Sequence, residues 1–116
     1  MIDLTTEMLR LSKLLDDALA YLRRSSEEYA EAEAIYRVAK AKAWIETPPG
    51  TVAEREARIN GATAGLRQKR DLADGMRQAA LEAVRSRRAQ LSALQSIAAS
   101  NREEAALARY GPEVKP

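Results

Sequence analysis

The stretch Tyr36-Arg37-Val38-Ala39-Lys40-Ala41-Lys42-Ala43-Trp44 holds three cations and two large aromatic rings within nine residues. Ammonium and guanidinium groups contact phosphate oxygens without regard to base sequence, and a flat ring stacks on an unpaired base. Arg37, Lys40 and Lys42 are therefore candidate phosphate contacts, and Trp44 a candidate for base stacking. Plainer roles suit the same residues. Cations are favourable at the C-terminal end of any helix, and a lone tryptophan beside a turn can plug the end of an apolar seam.

A second basic set, Arg67, Lys69, Arg70 and Arg77, continues into Arg85-Ser86-Arg87-Arg88. At helical spacing Arg70, Arg77, Arg85 and Arg88 share much of one face, interrupted by Asp74 and Glu82. Such a face is either solvated and laced with ion pairs or a track for a polyanion. The distribution of charge favours the second reading. Up to Tyr36 the chain carries eight acidic and four basic residues, whereas Arg37 to Arg88 carries six acidic and twelve basic ones, a split hidden by the net charge of +2. Nucleic acid is the polyanion that such an asymmetry suits best.

The acidic residues Glu27, Glu28, Glu31 and Glu33 are a solvated face or a docking face for a basic partner. The chain has no histidine and no cysteine, which excludes histidine general bases, thiolate nucleophiles and Cys/His zinc sites. No catalytic residue, no metal ligand set and no cofactor is expected, and the chain reads as a non-enzyme.

The elements that must position these groups are helices. From Leu4, apolar residues recur at alternating steps of four and three: Leu4, Met8, Leu11, Leu15, Ala18, Leu22, then Ser25, then Tyr29, Ala32, Tyr36, Ala39 and Ala43. A period of 3.5 keeps one narrow stripe facing a partner helix. Thr5 or Thr6 is the expected N-cap, and Ser25-Ser26-Glu27-Glu28 marks a point where the helix can bend. Pro48-Pro49 ends the helix, because proline lacks an amide hydrogen and pushes its predecessor to extended geometry; Gly50 then lets the chain turn. Thr51-Val52-Ala53-Glu54 has the spacing of a capping box. The second helix places Ile59, Ala62, Leu66, Ala73, Met76, Ala80, Val84, Leu91, Leu94 and Ala98 on its apolar side, with a shift of phase near Ala80. Gly61 and Gly65 point to a tight crossing with another helix, and Gly111-Pro112 supplies a stop signal.

These elements predict an all-α fold: a long antiparallel helical hairpin, coiled-coil-like, over residues 1–112, with helices over about 4–46 and 51–109, a turn at 47–50 and a tail at 113–116. The 46% hydrophobic content comes largely from alanine, aromatics are 4%, and phenylalanine is absent. A hairpin so built has little interior of its own, and assembly into a homo-oligomer is the expected remedy. With no long apolar run, neither a membrane span nor a secretory signal is expected. The setting is cytoplasmic, and the host cell cytoplasm if the chain is phage-encoded.

Two stretches resemble the UvsY-like recombination mediators of bacteriophages. Ala34 to Ile45, AIYRVAKAKAWI, is similar to the family's basic lysine-x-arginine motif with aromatics just after it. Ala80-Leu81-Glu82-Ala83-Val84-Arg85-Ser86-Arg87 is similar to a stretch near the family's C-terminal end, followed in both by a glutamine, here Gln95. The resemblance implies a non-enzymatic protein that assembles into an open ring and binds single-stranded DNA. It would loosen single-strand-binding protein and help a recombinase start its filament. Carried over by position, it puts the strand-binding cations at Lys40 and Lys42 with Arg37 beside them; Arg85, Arg87 and Arg88 are further candidates. The chain departs from the family in its alanine-rich heptads and its short Pro-Pro-Gly turn. The rival reading is a structural or adaptor coiled coil of a phage, for assembly or host-protein binding, that captures a partner through its acidic first helix and binds no nucleic acid.

Overall fold

A computed structural model describes residues 3–110. Helix α1 spans Leu4–Glu46 and helix α2 spans Val52–Tyr110, and no strand occurs among the described residues. The Gly111-Pro112 stop signal and the tail at 113–116 lie outside them. No described helix is long and apolar enough to cross a membrane. The chain divides into two compact units, one of Ala20–Leu81 and one of Met1–Leu19 with Glu82–Pro116. Each helix contributes a segment to each unit, and the Ala20–Leu81 unit contains the turn and is itself a helical hairpin.

Helix α1 starts on Asp3, not on Thr5 or Thr6. The Asp3 carboxylate accepts from the Thr5 amide (3.0 Å), the Thr6 amide (3.5 Å) and the Thr6 hydroxyl (2.8 Å). An aspartate before two threonines reaches amides that would otherwise lack a partner, whereas either threonine as cap would shorten the helix. The Thr6 hydroxyl is the main reason the Asp3 carboxyl is held below its ordinary pKa. Glu7 is held low in the same way, chiefly by its hydrogen bonds from Arg10.

Every position of the 4–3 stripe on α1 is buried or half-buried, and the serine-rich stretch does not interrupt the helix. Ser25 sits in the seam with only 2% of its surface exposed. On α2 an unbroken series of buried or half-buried positions runs Ile59, Thr63, Leu66, Arg70, Ala73, Arg77, Ala80, Val84, Arg87, Leu91, Leu94 and Ala98. They too alternate steps of four and three, so the seam runs through Ala80 with no change of phase. The expected shift arose from assigning Ala62 and Met76 to the core, and both are exposed. Their places are taken by polar residues. Thr63 is buried and its hydroxyl donates to the Ile59 carbonyl at 2.8 Å, which removes the cost of hiding it.

The turn follows from the prolines, and α2 opens on Thr51, whose hydroxyl accepts from the Glu54 amide at 3.2 Å. Gly50 does not adopt a left-handed backbone. Its small size matters for another reason: a Cβ there would lie 2.8 Å from a Glu54 carboxylate oxygen. The tight crossing expected at Gly61 and Gly65 is not made by α1, since a Cβ on either glycine would meet nothing within 4 Å.

Candidate nucleic-acid interface

Tyr29 and Tyr36 lie one heptad apart on α1, and Arg77 and Arg70 lie one heptad apart on α2. In the Ala20–Leu81 unit they meet as two rungs, with the Arg77 guanidinium 5.0 Å from the Tyr29 ring centre and that of Arg70 4.6 Å from Tyr36. Arg77 is further held by Asp74 at 2.6 Å. Arg70 is held by Asp71 at 2.7 Å and by Glu33 across the seam at 3.6 Å. The hydrogen bond to Asp71 is the main reason its pKa is raised. A guanidinium flattened on a ring and paired at its edge is tolerated at a seam position where an ammonium is not. These two arginines therefore belong to the interhelical packing and do not share an open face with Arg85 and Arg88.

A third arginine closes the end of the hairpin. Arg55 stacks 5.2 Å from the half-buried Trp44 ring and donates to the Trp44 carbonyl at 3.3 Å, while Arg58 donates to the Pro48 carbonyl at 3.3 Å. Neither was singled out from sequence. The signal for them is positional, because both sit on the first turns of α2, directly after the turn they hold.

The three cations on the last turns of α1 do not form one row. Successive helical residues are turned by about 100°, so Lys40 and Lys42 point to opposite sides. Arg37 and Lys40, three apart, share one flank. Arg37 is 77% exposed and pairs with Glu33 at 2.6 Å; Lys40 is half-exposed with its ammonium 5.8 Å from the Tyr36 ring centre. Arg67 lies one residue beyond the seam position Leu66, as Lys40 lies one beyond Ala39, and so belongs to that same flank. Lys42 lies on the other flank with a loose contact to Glu46 at 4.0 Å.

Arg85, Arg87 and Arg88 belong to the other unit. Arg85 is exposed and paired with Glu82 at 2.7 Å, and Arg88 is exposed. Arg87 is half-buried and donates to Gln90 at 3.1 Å. Of the acidic cluster, Glu33 turns inward to Arg37 and Arg70, whereas Glu27, Glu28 and Glu31 remain exposed. Among the described residues no group of three acidic side chains is placed to hold a metal ion.

No protein family, curated protein or solved structure matches the chain. Residues 37–69, which flank the turn, carry seven cations against three carboxylates. Among the described residues Lys40, Arg67 and Lys69 make no ion pair. Cations without a partner are the ones whose counterions a polyanion can displace.

Proposed function

We propose that the chain is a non-enzymatic protein that binds single-stranded DNA and acts as a recombination mediator. It would help a recombinase load onto strands covered by single-strand-binding protein, in the manner of the UvsY-like phage family that residues 34–45 resemble. The observation that carries the reading is the excess of positive charge around the turn, with Lys40 and Arg67 on one flank beside Arg37 and without an ion pair among the described residues. Exposed ion pairs such as Arg37 with Glu33 hold little free energy, so a phosphate can take the guanidinium over. Binding on this flank is electrostatic and indifferent to sequence, and self-association multiplies a weak site by avidity.

Arg37→Ala combined with Lys40→Ala tests it, with fluorescence anisotropy of a labelled oligonucleotide at two salt concentrations. Loss of two phosphate contacts lowers the slope of log affinity against log salt by about 1.4. The variant should keep its helix content by circular dichroism. Unchanged affinity and slope would remove the site.

A second reading, an adaptor coiled coil, is favoured by one observation: Ile35, Leu72 and Met76 are exposed along one groove of the Ala20–Leu81 unit. It predicts a discrete complex with no salt-dependent binding of oligonucleotides.

A further inference from the structure

One groove of the Ala20–Leu81 unit runs between α1 and α2 on the flank that carries Lys42. Ile35, Leu72 and Met76 line it, with Glu28 and Glu31 on the α1 rim and Lys69 on the α2 rim. Leu72 is 67% exposed, Ile35 43% and Met76 41%. No described residue covers these side chains, and the pattern of residues along the groove indicates what would.

On α1 four charges of this flank are placed symmetrically about Ile35, whereas Glu31 has Ala39 as its mirror position. Glu28 lies seven residues before it and Lys42 seven after; Arg24 lies eleven before it and Glu46 eleven after. If α1 is laid antiparallel on a copy of itself with Ile35 at the centre, each of these charges meets its opposite. On α2 the same flank is symmetric in size about Leu72. Long side chains, Lys69 and Met76, stand on either side of it, and small residues, Gly65 and Ala79, then Ala62 and Ala83, lie beyond them. Leu72 and Ile35 line the same groove, so one axis serves both helices.

We infer that this groove is the seat of a second copy of the chain, packed face to face about a two-fold axis that runs across both helices through Ile35 and Leu72. The inference specifies the self-association invoked in the proposed function. α1 then lies antiparallel on α1 of the partner, and α2 on α2. A two-fold contact must be self-complementary, each patch meeting its own image. The opposite order, with both turns at one end, sets α1 on the partner's α2 and leaves Glu28, which meets Lys42 in the first order, against Met76 and Ala79 with no cation opposite; Glu31 lacks a cation in either order. The size is adequate. A face two helices wide and about 40 Å long offers roughly 800 Å² per copy, the span of a standard stable interface. Gly65, whose Cβ position is open in the single chain, then admits the partner helix closely. Lys42 serves the pair, and the strand-binding set reduces to Arg37, Lys40 and Arg67.

The test needs no nucleic acid. Light scattering of the full chain should give about twice 12.8 kDa, and Ile35→Glu, which sets two carboxylates side by side on the axis, should return the single-chain mass with helix content intact. Leu72→Glu should do the same. Lys42→Glu should weaken pairing about tenfold or more, and Glu28→Lys added to it should restore the affinity. The natural chain has no cysteine, so Ile35→Cys should cross-link on oxidation, whereas Ile45→Cys, some 30 Å from its mate, should not. A single-chain mass at tens of micromolar, a mass indifferent to both glutamate variants, or cross-linking through Ile45→Cys would each overturn the pairing. A monomer that still binds oligonucleotide would remove the pair and leave the strand site, and a pair blind to oligonucleotide would do the reverse.

Discussion

An arginine inside a helical seam is a polar residue where the hydrophobic pattern asks for an apolar one, and Arg70 and Arg77 show how it is accommodated. Each lays its guanidinium on a tyrosine of the facing helix and pairs its edge with an aspartate on its own helix. Read as charges alone, both belong on an open basic face, and the sequence reading put them there. The legible clue was the matching step of seven between the two tyrosines and the two arginines, which the antiparallel hairpin brings together as Tyr29 with Arg77 and Tyr36 with Arg70. The rung predicts coupling between its members. In a double-mutant cycle of Tyr29→Leu and Arg77→Met, read by chemical denaturation, the interaction should be about 0.5–1 kcal/mol, the range of a partly exposed cation–π contact. Additive effects would mean that the two side chains are neighbours without being partners. For Arg70, lysine is no substitute: it lacks both the plane that lies on Tyr36 and the fork that reaches Asp71 and Glu33.

At the scale of the element, the sequence was most legible where backbone chemistry leaves few options. Pro48-Pro49 stops α1, and Thr51 opens α2 with the hydroxyl bond that its spacing predicts. The start of α1 was misplaced because threonine and aspartate are both good caps and the pattern does not choose between them. For the glycines of α2 the outcome is narrower: the crossing expected at Gly61 and Gly65 is not made by α1. A glycine in a helix suggests a crowded backbone, yet Gly61 and Gly75 are exposed and have open space around their Cβ positions. What remains is their cost in helix propensity. Gly75→Ala should therefore stabilise the chain by about 0.5–1 kcal/mol, with Gly61→Ala adding a similar amount. A thermal midpoint that falls instead would show that another molecule approaches α2 at these glycines. Gly65→Ala is the informative contrast. It gains the same propensity within one chain but places a methyl group in the face assigned to the second copy.

For the whole molecule the decisive comparison is between what is buried and what is not. Among the described residues six apolar side chains form the core, two of them alanines, while twelve large hydrophobic ones are exposed. The sequence foretold this imbalance, because alanine fills a seam without covering much area. It could not say which face a partner would take, since that depends on how groove, charge and side-chain size line up once both helices are in place. A chain that completes its core with a second copy has a stability tied to its concentration. Each tenfold rise in concentration stabilises the folded pair by about 1.4 kcal/mol relative to unfolded single chains. The thermal midpoint followed by circular dichroism should accordingly climb steadily from one to one hundred micromolar. In Ile35→Glu the midpoint should be lower and flat across that range, because folding has become a property of one chain. A natural chain whose midpoint ignores concentration would mean that the six-residue core suffices, and that the exposed side chains serve a partner of another kind.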